Sequence, residues 1–130
     1  VCTQEDRFAG RSRELTPTPV GQWANIEGIS ISKINSVNSN EFLLKIKALC
    51  PDILLVVSFG QIIKKELLNI PKYGCINVHA SLLPKYRGAS PIRAAILNGD
   101  AETGICFMKM DVGLDNGPVY SSIKYQLLGS

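Results

Sequence analysis

Apolar and polar positions change period several times along the chain. Residues 52–59, DILLVVSF, are continuously apolar and rich in branched side chains. Such a run suits a strand covered on both faces, as in a parallel sheet. ISISKI, 29–34, alternates apolar and polar residues, as a half-buried strand does. The opening VCTQ resembles the tail of another strand. CINVH (75–79), TGICFMKM (103–110) and PVYSSIKYQL (118–127) read as three more, the last two joined by the Gly-rich DVGLDNG.

Helical spacing fills the intervals. NSNEFLLKIKALC places Phe42, Leu43, Ile46 and Leu49 at helical spacing, with Asn38 or Ser39 as the cap. GQIIKKELLNI predicts a helix that Pro71 ends, and VGQWANIEG a short one ending near Gly28. GASPIRAAILNG predicts a helix with Ser90 as N-cap and Pro91 at its first position. Residues 5–19, EDRFAGRSRELTPTP, are polar with one Gly and two Pro, and predict a long surface loop. The alternation of strand and helix predicts an α/β fold. Its expected form is Rossmann-like, a largely parallel sheet with helices on both faces. No internal repeat or low-complexity segment interrupts it.

Composition narrows this picture without redirecting it. The 130 residues suit one domain. A chain of that size should bury roughly two thirds of its unfolded surface. An apolar share of 45% with 19% charged residues argues against wholesale disorder. No apolar run reaches the ~18 residues that span a membrane, and no basic start leads into an apolar stretch as a signal peptide would. Of the four cysteines, Cys2, Cys50, Cys75 and Cys106, no two form a CxxC pair. With a single histidine in the chain, no zinc site is expected. Cys50, Cys75 and Cys106 lie in or beside apolar runs, where a free thiol packs as a small hydrophobe. A reduced, cytoplasmic protein is expected. The net charge of +3 permits a nucleic-acid partner without demanding one.

That single histidine, His79, falls at the end of CINVH. Side chains alternate along a strand, so Asn77 and His79 share one face. Ligands of open parallel sheets bind beyond the carboxyl ends of the strands. An Asn amide and an imidazolium on one face can both donate hydrogen bonds to an oxyanion in acyl transfer. The same pattern also fits a buried, hydrogen-bonded histidine beside a turn-forming asparagine. A third group should set the proton affinity of the histidine, and Asp111 and Asp115 are the candidates. Spacing does not choose between them, and an ordinary polar turn would look the same. Gly113 and Gly117 let that segment turn sharply.

INVHASLLPKYRGASPI and GDAETGICFMKMDVGLDNGPVY together closely resemble the catalytic domain of the methionyl-tRNA formyltransferase family. TQEDRFAGRSRELTPTPV resembles that family's tRNA-contacting loop, and VVSFGQIIKKELL its folate-pocket segment. The resemblance implies catalytic roles for Asn77, His79 and Asp115. It implies a 10-formyltetrahydrofolate contact at Ser81, Leu82, Leu83 and Pro84. It further implies a pterin pocket lined by Phe59, Gly60, Gln61, Ile62 and Ile63 and by backbone of 111–117, and a contact of Arg11 with the tRNA. The implied partners are initiator methionyl-tRNA and the folate donor, acting on a monomer without a metal, in the bacterial cytosol or an organelle matrix.

The implied chemistry is direct formyl transfer. The α-amino group of methionyl-tRNA attacks the formyl carbon, Asn77 and His79 stabilise the oxyanion, and Asp115 holds His79 protonated. The family pattern places a first strand and helix before Val1 and a β-barrel domain after residue 130. Residues 1–130 are then expected to be part of a catalytic domain, truncated at both ends and inactive alone. Asn116 stands where many members have Thr. A sugar-amine or glycinamide-ribonucleotide formyltransferase would share Asn77, His79, SLLP and Asp115, but should lack the Arg-bearing loop. A hydrolase releasing formate from the folate and a non-catalytic folate- or RNA-binding module are further alternatives. Lys85, Arg87 and Arg93 add positive charge that either steers phosphates or is simply solvated.

Overall fold

The computed structural model describes residues 1–9 and 14–127. Its main sheet has four strands: β5 (Leu54–Val57), β6 (Cys75–His79), β7 (Glu102–Lys109) and β8 (Val119–Gln126), in that spatial order. The α/β class is as expected, but the sheet is mixed. β5 runs parallel to β6, whereas the β6–β7 and β7–β8 pairs are antiparallel. Hydrophobic period reports which face a side chain takes, not which way the strand runs, so the reversal at β7 left no mark in the pattern. A separate parallel pair joins β1 (Cys2–Gln4) to β4 (Ser32–Ile34).

The expected loop at 5–19 contains a small hairpin. β2 (Arg7–Ala9) pairs antiparallel with β3 (Glu14–Thr16), with Phe8 opposite Leu15. Phe8 and Leu15 are both exposed, so among the described residues no buried alternation marks these strands.

Helix starts follow local chemistry. α1 (Pro19–Ile26) begins at Thr18, whose hydroxyl accepts from the Gly21 N–H at 3.1 Å. α2 (Asn40–Leu49) begins at Ser39, whose hydroxyl accepts from the Phe42 N–H at 3.3 Å. It buries Phe42 and Ile46, while Leu49 at its last position is exposed. α3 is only Lys65–Leu68, shorter than the spacing predicts. Asn38 donates to the Ile62 carbonyl at 2.8 Å and accepts from the Lys64 N–H at 3.0 Å. Those bonds hold residues 62–64 outside the helix. α4 (Pro91–Leu97) has Pro91 in its first turn as expected, but the Ser90 side chain makes no capping bond.

The core gathers Val37, Phe42, Ile46, Ile63, Leu67, Leu68 and Cys75, with Leu54 and Val56 packed against it. Leu54, Val56 and Cys75 share one face of the sheet through the β5–β6 register. On the other face Leu55 and Val57 are exposed, so among the described residues β5 is covered on one side rather than two.

Candidate active site

Cys75, Asn77 and His79 alternate onto a single face of β6. Cys75 is buried in the core, and a one-residue slip would expel it. Core packing therefore fixes the face that Asn77 and His79 take. Neighbours on both sides lock the strand: Val56 opposes Asn77 on β5, while Met108 and Cys106 oppose Asn77 and His79 on β7. His79 is buried at 5% exposure.

Asp115 reaches this pair from the β7–β8 connection. Its own φ is +50°, and Gly113 lies at +134°. Gly117 lies so close to β7 that a Cβ there would sit 1.8 Å from the Lys109 carbonyl oxygen. Only glycine allows the loop to fold back this tightly. Asn77 Nδ2 donates to Asp115 Oδ1 at 3.2 Å, and His79 Nδ1 lies 3.6 Å from Asp115 Oδ2. Asp111 is turned elsewhere, its Oδ1 accepting from the adjacent Val112 N–H at 2.7 Å. Of the two aspartates, Asp115 is the one brought against Asn77 and His79.

Residues 86–88 close the cluster. His79 Nε2 donates to the Tyr86 carbonyl at 2.8 Å. A carbonyl only accepts, so Nε2 carries the hydrogen, and the contact of Nδ1 with Asp115 is an ion pair when that nitrogen is protonated too. The Gly88 N–H donates to Asp115 Oδ2 at 2.8 Å, and Arg87 Nε donates to the Asp115 carbonyl at 3.0 Å. The sequence offers Arg87 as a positive charge that either steers phosphates or is solvated, and gives no role to Tyr86 or Gly88. The glycine after three larger residues was the available signal, since its φ is +103°.

The remaining expected residues take varied places. Ser81 is fully buried, and its hydroxyl donates to the Lys85 carbonyl at 2.6 Å. Leu82 packs on Gly104, where an added Cβ would come within 2.4 Å of its Cδ2. The Leu83 N–H donates to Cys106 Sγ at 3.4 Å, and Pro84 is exposed. Phe59 packs at the core edge, its carbonyl accepting from the Gln4 amide. Gly60 follows at φ +76°. Gln61 accepts from the Val37 N–H at 3.0 Å and donates to the Asn35 carbonyl at 2.8 Å, so its side chain ties down a neighbouring loop. Ile63 lies in the core, whereas Ile62 is 83% exposed. Arg11 lies outside the described residues.

Two titrating groups are displaced. Burial pushes the Cys75 thiol up to about 11. The hydrogen bond from the Tyr86 hydroxyl to Asp100 raises that phenol above its usual range. Among the described residues, no group of three His, Cys, Asp or Glu is placed to hold a metal ion, and no helix is long and apolar enough to cross a membrane.

Residues 1–128 match the family model described as formyl transferase, and the chain belongs to that family. Within it, the chain is similar to methionyl-tRNA formyltransferases. It is 52% identical over 124 residues to that of Xylella fastidiosa strain 9a5c, covering 95% of this chain and 40% of the relative. It is 50% identical over 129 residues to that of Dictyoglomus thermophilum, covering 98% and 41%. The chain thus spans about 40% of the length of these curated relatives. Among solved structures, phosphoribosylglycinamide formyltransferase from Bacillus halodurans aligns with a TM-score of 0.74 at 20% identity, covering 88% of this chain and 63% of that one. A sugar N-formyltransferase from Shewanella sp. aligns at 0.65 and 25% identity, covering 81% and 41%.

Proposed function

We propose that a protein carrying this chain transfers a formyl group from 10-formyltetrahydrofolate to the α-amino group of methionyl-initiator-tRNA. The observation that carries this reading is the meeting of Asn77, His79 and Asp115 at the end of β6. The set suits a formyl oxygen and an attacking amine: an amide donor, an imidazole and an accepting carboxylate converge there. Half identity to methionyl-tRNA formyltransferases favours the tRNA substrate over a sugar amine or a ribonucleotide.

The folate supplies the formyl carbon. Asn77 gives one Nδ2 hydrogen to Asp115 and keeps the other for the formyl oxygen as it gains negative charge. When His79 carries a hydrogen on both nitrogens, its positive charge lies beside that oxygen. The amine adds to the formyl carbon, and Asp115, which aligns both partners, takes the proton it releases, directly or through water. Collapse of the tetrahedral adduct then breaks the bond from the formyl carbon to N10, and that proton passes to N10 of the departing tetrahydrofolate. Ser81 and Leu82 shape the adjoining donor seat. Arg11 is assigned to the tRNA acceptor end. In this role the protein acts as a monomer in the cytosol or an organelle matrix, without a metal.

The test is an assay with 10-formyltetrahydrofolate, with and without charged initiator tRNA. Formyl-methionyl-tRNA is expected. Formate released equally well without tRNA would identify a hydrolase and overturn the reading, as would binding without turnover.

A further inference from the structure

Tyr86 adopts φ +54°, a left-handed conformation that a bulky residue holds only where its surroundings impose it. Those surroundings are identifiable. The Tyr86 hydroxyl donates to Asp100 Oδ2 at 2.9 Å, and Lys85 Nζ lies 3.3 Å from the same oxygen. The Asp100 N–H donates to the Ala95 carbonyl at 3.0 Å, which ties this residue to α4. On the chain's other side, the buried Ser81 hydroxyl holds the Lys85 carbonyl. The turn is therefore gripped at residue 85 and at the tip of the Tyr86 side chain.

What Tyr86 and Gly88 present to the site is backbone, beside the Arg87 side chain on the Asp115 carbonyl. The Tyr86 carbonyl accepts the His79 Nε2 hydrogen, and two residues later the Gly88 N–H meets Asp115 Oδ2. A continuous path runs from α4 through Asp100 and Tyr86 to His79 and Asp115. The Tyr86 ring and Asp100 act on His79 through that carbonyl.

We propose that Tyr86 and Asp100 are positioning residues for His79: the Tyr86 hydroxyl, anchored on Asp100, sets the turn that aims the Tyr86 carbonyl at Nε2. This rests on the catalytic reading of His79. The carbonyl keeps the hydrogen on Nε2 and holds the ring so that Nδ1 faces Asp115. Without the anchor, the ring is free to rotate and lose both partners. A purely structural tie would instead affect stability and leave the imidazole unchanged.

The test uses the full-length enzyme and the Tyr86→Phe, Asp100→Ala and Asp100→Asn variants, with His79→Gln as reference. Tyr86→Phe is expected to lower kcat about tenfold, the effect of losing one hydrogen bond to a charged group. KM for the folate and for the tRNA should stay within about twofold, since the change acts on the reacting geometry rather than on binding. Asp100→Ala should match it, the double variant should be no worse than either, and Asp100→Asn, which keeps an acceptor oxygen, should recover part of the rate. In 15N-histidine spectra the signals missing from His79→Gln identify His79, and they should shift in Tyr86→Phe. If Tyr86→Phe does not fold, Asp100→Asn and Asp100→Ala carry the same comparison. Wild-type kcat and unshifted His79 signals in these variants, with His79→Gln inactive, would overturn the positioning role alone. An active His79→Gln would overturn the reading beneath it.

Discussion

Asp115 is the residue on which the site converges, since Asn77, Gly88 and His79 all approach its carboxylate. Replacing Asp115 by Ala removes an acceptor from each at once. Turnover is expected to fall by about 100-fold or more, measured as kcat with the fold checked by circular dichroism. An unchanged kcat would remove Asp115 from the machinery. The thiols give a second expectation at this scale. Cys75 is buried and Cys50 exposed, so Cys50 should react first with a thiol reagent at pH 8. The Cys75 thiol ionises near 9.0 when unfolded and near 11 when folded. Its stabilising contribution is therefore complete below pH 9 and is lost as pH rises through 11. Urea midpoints should fall over that interval, and less steeply in Cys75→Ala. Period-2 reasoning placed Asn77 and His79 on one face because they lie on one strand. It did not choose between Asp111 and Asp115, because that choice depends on how a distant loop folds back at Gly117. Tyr86 and Gly88 stayed hidden for another reason: they act through main-chain atoms, which every residue type possesses.

At the level of elements, strand and helix positions were legible wherever one face is buried. β8 was legible too, although every residue of it is exposed; the β2–β3 hairpin and the start of α3 were not. Among the described residues the β2–β3 hairpin shows no buried face, and the late start of α3 depends on Asn38, more than twenty residues earlier in the chain. Asn38→Ala is expected to cost about 1–2 kcal/mol in urea unfolding through its lost bonds to Ile62 and Lys64. An unchanged midpoint would show that residues 60–64 need no such tie. Gly104 is one contact between β7 and the 81–84 segment, beside the Leu83 N–H on Cys106. An added Cβ would meet the Ile123 carbonyl oxygen and Leu82 Cδ2, each at 2.4 Å. Gly104→Ala should destabilise by about 1–3 kcal/mol as the leucine and strand shift apart. Thermal unfolding checks it, and a wild-type midpoint would contradict the contact.

Across the whole molecule, the sheet presents two unlike faces. One carries Asn77 and His79 and packs against the core. The other leaves Leu55, Val57, Ile105, Ile123 and Tyr125 exposed on a single side, as the strand registers require. An apolar face of this kind should bind a hydrophobic dye when the 130-residue chain is studied alone. Ile123→Lys should reduce that signal, and an undiminished signal would place the dye elsewhere. The α/β class was readable because alternating strand and helix periods define it. The antiparallel β7 and β8 were not, because direction depends on where each connection returns the chain. The formyl transferase family and the clustered Asn77, His79 and Asp115 bring the account to one decisive comparison. It is the initial rate of formyl-methionyl-tRNA formation by the full-length enzyme, wild type against His79→Ala, with equal folding verified. A loss of about 100-fold or more is predicted. Wild-type turnover in His79→Ala would contradict the account.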